Sequence, residues 1–308
     1  SLPSRGLGDV YKRQIYFRCI IIGKIMSEAQ LKQVVFPVAG LGSRFLPVTK
    51  SIPKEMLPII DKPLIQFAVE EAIQAGAEEI IFVTSHTKTA IEDYFSKNSE
   101  LETRLRDSNK SELIQAIHPD YLKNIKFSFV RQNEPNGLGH AILQAKNLIT
   151  EDFFGIVLAD DLILSDVGCL KQLKDIHGKT NSSVLGVFSA SHSELKNYGV
   201  IDAVQENDLL KLNSIIEKPS INEAPSNLAV FGRYILSKSI FNVLEETKPG
   251  LNGEIQLTDA IRSFLSNDSV FAFEFQGRRF DCGSKEGYVS AIVDRASHLE
   301  NFREIVKK

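Results

Sequence analysis

The sequence predicts an α/β fold: a mixed, mostly parallel sheet flanked by helices, followed by a smaller β-rich part. Two observations carry this expectation. From residue 34 to residue 159, short apolar runs alternate with segments of helical period, the pattern of parallel strands joined by covering helices. After residue 183, stretches rich in β-branched and aromatic residues follow one another closely, which calls for a second group of strands.

The first strand is expected over 34–39, leading into a glycine loop. Leu64, Ile65, Ala68, Val69, Ala72 and Ile73 then mark one face of a helix that ends at Gly76. Alternation continues with a strand over 80–84, a helix over 87–95, a strand over 126–130, a helix over 139–148 and a strand over 155–159. Residues 96–121 form a charged run that reads as a solvated helical insertion without chemistry of its own. The later stretches SSVLGVFSA, YGVIDAV, LLKLNSIIEKP and LAVFGRYIL are strands, followed by helices over 238–246 and 256–265. No internal repeat is visible.

Composition narrows the function classes. The chain has 308 residues, of which 43% are hydrophobic and 24% charged, enough for a sizeable core and ordinary for a soluble enzyme. A net charge of -3 with scattered basic residues argues against nucleic acid as a partner. The three cysteines, Cys19, Cys169 and Cys282, lie far apart, so neither a zinc site nor a disulfide framework is indicated and a cytoplasmic location is expected. The apolar run IYFRCIIIGKI is interrupted by Arg18 and Lys24 and is shorter than the roughly 20 residues a membrane span needs, so no membrane association is expected. The opening SLPSRGLGDVYKRQ resembles translated sequencing adapter. Residues 1–26 are therefore expected to be a non-native extension, and 27–308 one domain with parts at about 27–182 and 183–308.

The segment FPVAGLGSRFLPVTKSIPKEMLP (36–58) holds most of the recognisable chemistry. A glycine-rich turn directly after a strand exposes backbone amides to phosphate oxygens, and Arg44, Lys50 and Lys54 supply countercharge. The third glycine of a dinucleotide fingerprint falls on Phe45, and no Walker A loop occurs, so a triphosphate cradle of another kind is expected. In LADD, Asp160 is expected at the carboxyl end of a buried strand, where open α/β sheets bind ligands and a carboxylate suits a hard cation. Asp281, in FDCG, is either a second carboxylate for that cation or a turn former.

The order AGLGSRFLP, PKEMLP, RQNEPNGLGHA, LADD, YGV, EKP, PSNLAVFGRY, GEIQLTDAI and DCGSKEGY resembles the bacterial UTP:glucose-1-phosphate uridylyltransferases, over residues 34–288. The resemblance implies a Rossmann-like fold of the nucleotide-diphospho-sugar transferase type, whose β-rich part binds the sugar. It also implies uridylyl transfer from UTP to glucose 1-phosphate with Mg²⁺ as cofactor, in a homodimer or homotetramer.

Carried over by position, it makes Arg44, Lys54 and Asp160 catalytic and gives the nucleotide Ala39, Gly40, Gly42, Glu55, Gln132 and Gly137. Gly199, Glu217 and Lys218 fall to the sugar phosphate, and Asp160 with Asp281 to the metal. The family has proline where Ala159 stands, a change without chemical consequence; Asp161 is expected to support its neighbour and His140 to start a helix. Rival readings are a thymidylyltransferase using dTTP, whose base shows the same pairing edge, and a silent sugar-nucleotide-binding regulator, which should have lost the lysines and the metal aspartate present here. A dehydrogenase is disfavoured by the glycine spacing.

Overall fold

The structure, a computed structural model, describes residues 30–250 and 253–306. The expected non-native extension at 1–26 lies outside the described residues. Thirteen strands are described: β1 (Gln33–Pro37), β2 (Pro58–Ile59), β3 (Lys62–Pro63), β4 (Glu79–Thr84), β5 (Lys126–Arg131), β6 (Phe153–Val157), β7 (Asp161–Leu164), β8 (Ser183–Ser189), β9 (Gly199–Glu206), β10 (Leu209–Glu217), β11 (Leu228–Ser237), β12 (Val270–Glu274) and β13 (Arg278–Asp281). Nine of them form one sheet in the order β5-β4-β1-β6-β11-β8-β12-β10-β9. Pairing is parallel from β5 through β6, where helices return the chain between strands, and mixed beyond β11. The β9–β10 hairpin turns on Asn207 and Asp208, both at positive φ (50° and 63°), the backbone that a two-residue hairpin loop requires.

Both faces of the sheet are covered, which explains why β1 reads as an unbroken apolar run. Val34 and Phe36 pack with Ile65, Val69, Leu170 and Leu173 on one face. Val35 points the other way, into a core with Phe241, Leu257, Ile261 and Phe264. The helices Leu64–Gln74 and Cys169–Thr180 cover the first face; Ile240–Glu246 and Leu257–Phe264 cover the second. The insertion holds a helix at Ser99–Asp107, capped by Asn98, whose side chain accepts from the Leu101 amide at 3.0 Å, and a short helix at Ile114–Ile117. Among the described residues, no helix is long and apolar enough to cross a membrane.

Several features depart from the sequence reading. β6 ends at Val157, two residues short of the expected strand, so Asp160 lies in the turn between β6 and β7. The helix expected over 139–148 is regular only at Leu138–Leu143. Two elements that matter for the site were not expected at all: the antiparallel ribbon of β7 with β13, and the helix Lys285–His298 that follows it.

Candidate active site

Asp160 is placed by its neighbours' backbone. Leu158 N donates to Gly232 O at 2.9 Å, continuing the β6–β11 pairing one residue past the strand. The chain then turns because Arg233, fully buried on β11, takes the carbonyls of both Leu158 (Nη1, 2.9 Å) and Asp161 (Nη2, 2.8 Å). Glu71 balances that guanidinium, accepting from Nη2 at 2.8 Å and from Nε at 3.1 Å, and also accepts from the Leu170 amide at 2.9 Å. One ion pair thus ties the Asp160 turn to two covering helices.

Asp281 arrives on the ribbon, where β13 sets it directly opposite Asp161. Its Oδ1 accepts from the Gly283 amide at 3.0 Å and its Oδ2 from the Tyr198 hydroxyl at 3.1 Å. A Cβ on Gly283 would stand 3.0 Å from Asp160 Oδ2, 3.0 Å from Asp281 Oδ1 and 3.5 Å from Arg44 Nη1. The two aspartates expected at the metal therefore converge on one small space, kept open by a glycine. A divalent cation with a preference for carboxylates, water and phosphate fits that donor set. Among the described residues no group of three His, Cys, Asp or Glu side chains is arranged to hold a metal, so phosphate and water would supply the remaining ligands.

The glycine loop brings the cations. Gly42 takes φ 65°, and Thr49 Oγ1 donates to its carbonyl at 2.8 Å, closing the loop on itself. Gly40 is exposed with nothing near it, while Ala39 is buried at the end of the first strand's run. Arg44 reaches across to donate to Gly283 O at 3.3 Å. Lys54 Nζ donates to Asp160 Oδ2 at 2.5 Å. Burial opposes the charge of Lys54, yet the carboxylates of Asp160 and Glu55 outweigh it and hold the ammonium above the usual lysine range. Burial also works against ionisation of Asp160, but Lys54 keeps its carboxyl below the usual range.

Glu55 is 2% exposed, and both of its oxygens accept from Lys88 Nζ, at 3.1 and 2.8 Å. Its carboxylate braces the loop through a buried ion pair with Lys88. Burial pushes the Glu55 carboxyl up and the Lys88 ammonium down, against the attraction between them. Gln132 is buried, and its Nε2 lies 2.9 Å from His140 Nδ1 and 3.3 Å from Gly137 O. Gly137 takes φ 99°, and a Cβ there would meet Ile255 O at 2.7 Å, so this glycine is needed for packing against the segment that leads into the helix Leu257–Phe264.

That helix links the loop of Gln132 and Gly137 to a cavity of about 430 Å³, whose walls include Arg44, Leu138, Asp160, Gly199, Glu217, Lys218, Thr258 and Asp281. Gly199 pairs with Glu217 across β9 and β10, and Thr258 Oγ1 donates to Glu217 Oε2 at 3.0 Å. Lys218 Nζ stands 3.1 Å from Glu217 Oε1 and is half exposed. Its backbone takes φ 47° just before Pro219, a strained conformation anchored by its amide, which donates to Tyr198 O at 2.9 Å. Strain of this kind at a cavity lip sets a side chain where an ordinary strand would not.

Tyr198, Thr258 and Arg279 on this cavity wall were given no role from the sequence. The Arg279 guanidinium lies 4.3 Å over the Phe188 ring, with Nη2 2.5 Å from Asp161 Oδ1. Burial drives the Asp161 carboxyl up to about 7, opposed by Arg279 and reinforced by Asp160. Cys282, between Asp281 and Gly283, is buried, and its thiol is pushed up to about 12 by that burial, so it is inert packing.

The profile of the nucleotidyl transferase family matches residues 34–298. The chain is 46% identical over 269 residues to UTP–glucose-1-phosphate uridylyltransferase 1 of Staphylococcus saprophyticus, covering 87% of this chain and 93% of that one. It is 43% identical over 277 residues to the UTP–glucose-1-phosphate uridylyltransferase of Bacillus subtilis, covering 89% and 94%. Its fold is similar to the crystal structure of a UDP-glucose pyrophosphorylase complexed with UDP-glucose, at TM-score 0.78 and 43% identity, over 88% of this chain and all of that one (100%). The chain belongs to the nucleotidyl transferase family, in its group of UTP–glucose-1-phosphate uridylyltransferases.

Proposed function

We propose that this protein transfers the uridylyl group of UTP to glucose 1-phosphate, forming UDP-glucose and releasing pyrophosphate. The observation that carries this reading is the convergence of Asp160, Asp281, Lys54 and Arg44 at the wall of the cavity that Glu217 and Lys218 line. Relatives at 43% and 46% identity named for that reaction support the choice of substrates. Residues 27–182 serve the nucleotide and 183–308 the sugar phosphate.

The attacking oxygen belongs to glucose 1-phosphate and is already anionic, so no protein nucleophile has to be activated. It forms a bond to the α-phosphorus of UTP in line with the bond to the β-phosphate bridging oxygen, which breaks; no proton has to move. The work of the protein is positioning and neutralisation. The open amides of 39–42 cradle the triphosphate. Arg44 and Lys54 take up charge on the departing pyrophosphate, and Lys218 holds the attacking phosphate. Glu217, oriented by Thr258, accepts from sugar hydroxyls, with the Gly199 backbone beside it. Gln132, whose Nε2 is directed at His140, presents its Oε1 to the uracil edge, and the Gly137 turn supports that loop. Asp160 and Asp281 would hold Mg²⁺, which neutralises phosphate oxygens and screens them from the incoming anion. Buried, unpaired Cys169 and Cys282 suit a reducing cytoplasm, and the resemblance suggests a homodimer or homotetramer.

The test is pyrophosphate release over a matrix of UTP, dTTP, ATP and GTP against the 1-phosphates of glucose, galactose and N-acetylglucosamine. UTP with glucose 1-phosphate should give the highest kcat/KM, and a higher value for dTTP would replace this reading with thymidylyl transfer.

A further inference from the structure

A glutamine can read one base edge against another only if its amide is held one way round. Turned end over end it keeps its shape but shows a donor where it had shown an acceptor. The place of Gln132 is set by the sheet: its backbone amide donates to Thr84 O at 2.8 Å, one residue past the β4–β5 pairing of Thr84 with Arg131. The residue is 6% exposed, so the orientation of its amide is fixed by what lies around it and not by bulk water.

Two groups on the helix Leu138–Leu143 and its cap decide that orientation. The Gly137 carbonyl already accepts from the Ala141 amide at 3.0 Å, and it also accepts from Gln132 Nε2 at a long 3.3 Å. One turn on, His140 brings Nδ1 to 2.9 Å from the same Nε2, the separation of a good hydrogen bond. At the other end of the ring, Gln144 Nε2 stands 3.2 Å from His140 Nε2 and donates to the His140 carbonyl at 3.1 Å. A neutral imidazole has one acceptor nitrogen, and the shorter contact assigns it to Nδ1. Both hydrogens of the Gln132 amide are then committed to Gly137 O and His140 Nδ1, and Oε1 is the end left for a ligand.

We propose that His140 is a positioning residue that sets the base preference of the site by holding Gln132 with its oxygen toward the pyrimidine. An amide oxygen there matches the N3–H of uracil or thymine and opposes the N3 lone pair of cytosine; the reversed amide would do the opposite. This rests on the reading above that Gln132 meets the base, and it adds what decides which pyrimidine is accepted.

The test compares wild type, His140→Leu, His140→Asn and Gln132→Leu. Asparagine keeps an acceptor, Oδ1, bonded to Cγ as Nδ1 is in histidine, whereas leucine has similar bulk and no acceptor. Pyrophosphate release is measured at saturating glucose 1-phosphate with UTP, dTTP or CTP varied, CTP being read as turnover or as inhibition of the UTP reaction, and thermal melts are recorded alongside. In His140→Leu the preference for UTP over CTP should fall about tenfold, with the loss carried in KM for UTP and not in kcat. The response to dTTP should follow that to UTP, because the two bases share the edge that Gln132 reads. His140→Asn should recover most of the preference. A merely structural histidine would lower the use of all three nucleotides together and leave the ratio alone in both variants, which overturns the proposal.

His140 is half-buried, so the leucine variant should fold; if it does not, His140→Ala removes the same acceptor and is read in the same way. Gln132→Leu separates this inference from the reading beneath it. A ratio lost in Gln132→Leu but kept in His140→Leu overturns the role of His140 alone. A ratio kept in Gln132→Leu shows that Gln132 does not meet the base and removes both.

Discussion

Gly283→Ala places one methyl group in the space that the two aspartates share. The added carbon would lie 3.0 Å from Asp160 Oδ2 and 3.0 Å from Asp281 Oδ1, against 3.4 Å for ordinary contact, so each oxygen must give way by about 0.4 Å. Asp281 cannot do so freely, because the same Oδ1 accepts from the Gly283 amide. Loss of a charge-assisted bond of that kind costs about 1.5 to 3 kcal/mol. The backbone of Gly283 is not at positive φ, so alanine adds no conformational strain and the fold should survive. Displacement of the two carboxylates by a few tenths of an ångström, with the methyl occupying their gap, should lower kcat by about 10². The assay is pyrophosphate release at saturating UTP and glucose 1-phosphate over a Mg²⁺ titration, alongside a thermal melt. A folded Gly283→Ala protein with wild-type kcat and Mg²⁺ dependence would refute the claim that reaction takes place between Asp160 and Asp281.

Replacing Lys218 with alanine should raise the KM for glucose 1-phosphate about tenfold or more and leave that for UTP nearly unchanged, since a charge-assisted phosphate contact is worth roughly 1.5 to 3 kcal/mol; steady-state kinetics with each substrate varied would show equal damage if the role is wrong. Asp160→Asn and Asp281→Asn should each lose most activity and regain part of it at raised Mg²⁺, and an Asp281→Asn enzyme with unchanged turnover would reduce Asp281 to a turn former. His177, buried against Phe153 with Nδ1 2.9 Å from Ser182 O, has its pKa lowered from 6.5, by burial first. The unfolded chain therefore gains a proton that the native chain resists, so stability is full above pH 6.5 and falls on acidification below it, by up to about 1.4 kcal/mol per pH unit until the lowered native value is reached. Urea midpoints measured from about pH 7.5 to about 5 should show a shallower slope in His177→Gln than in wild type.

The parts of this molecule set by local pattern were legible in the sequence. The runs that became β1, β4, β8 and β11 announced themselves because they are buried on both faces, those of β5, β9 and β10 through their β-branched and aromatic residues, and the glycine loop because Gly42 must take positive φ. The ribbon of β7 and β13 was not legible: four residues, Arg278–Asp281, carry no alternating apolar signal, and their register against Asp161–Leu164 is settled by partners far away in the chain. That ribbon is what brings Asp281 to Asp160, so the sequence offered Asp281 only as a ligand or a turn former. Arg233 stayed hidden for a related reason, since FGRY looks like any strand until Glu71 and the Leu158 and Asp161 carbonyls are seen around the guanidinium. Glu55 was placed at the nucleotide only through the family resemblance; that its carboxylate pairs with Lys88 depends on a helix start 33 residues on.

Transfer of the α-phosphoryl of UTP at the Asp160–Asp281 centre is tested most directly with UTP labelled at the α-phosphorus, incubated with glucose 1-phosphate and Mg²⁺. All transferred label should appear in UDP-glucose, none in pyrophosphate and none bound covalently to the protein, and Asp160→Asn should lose most of the transfer. Label retained on the protein, or full transfer by Asp160→Asn, would contradict direct in-line displacement at this site.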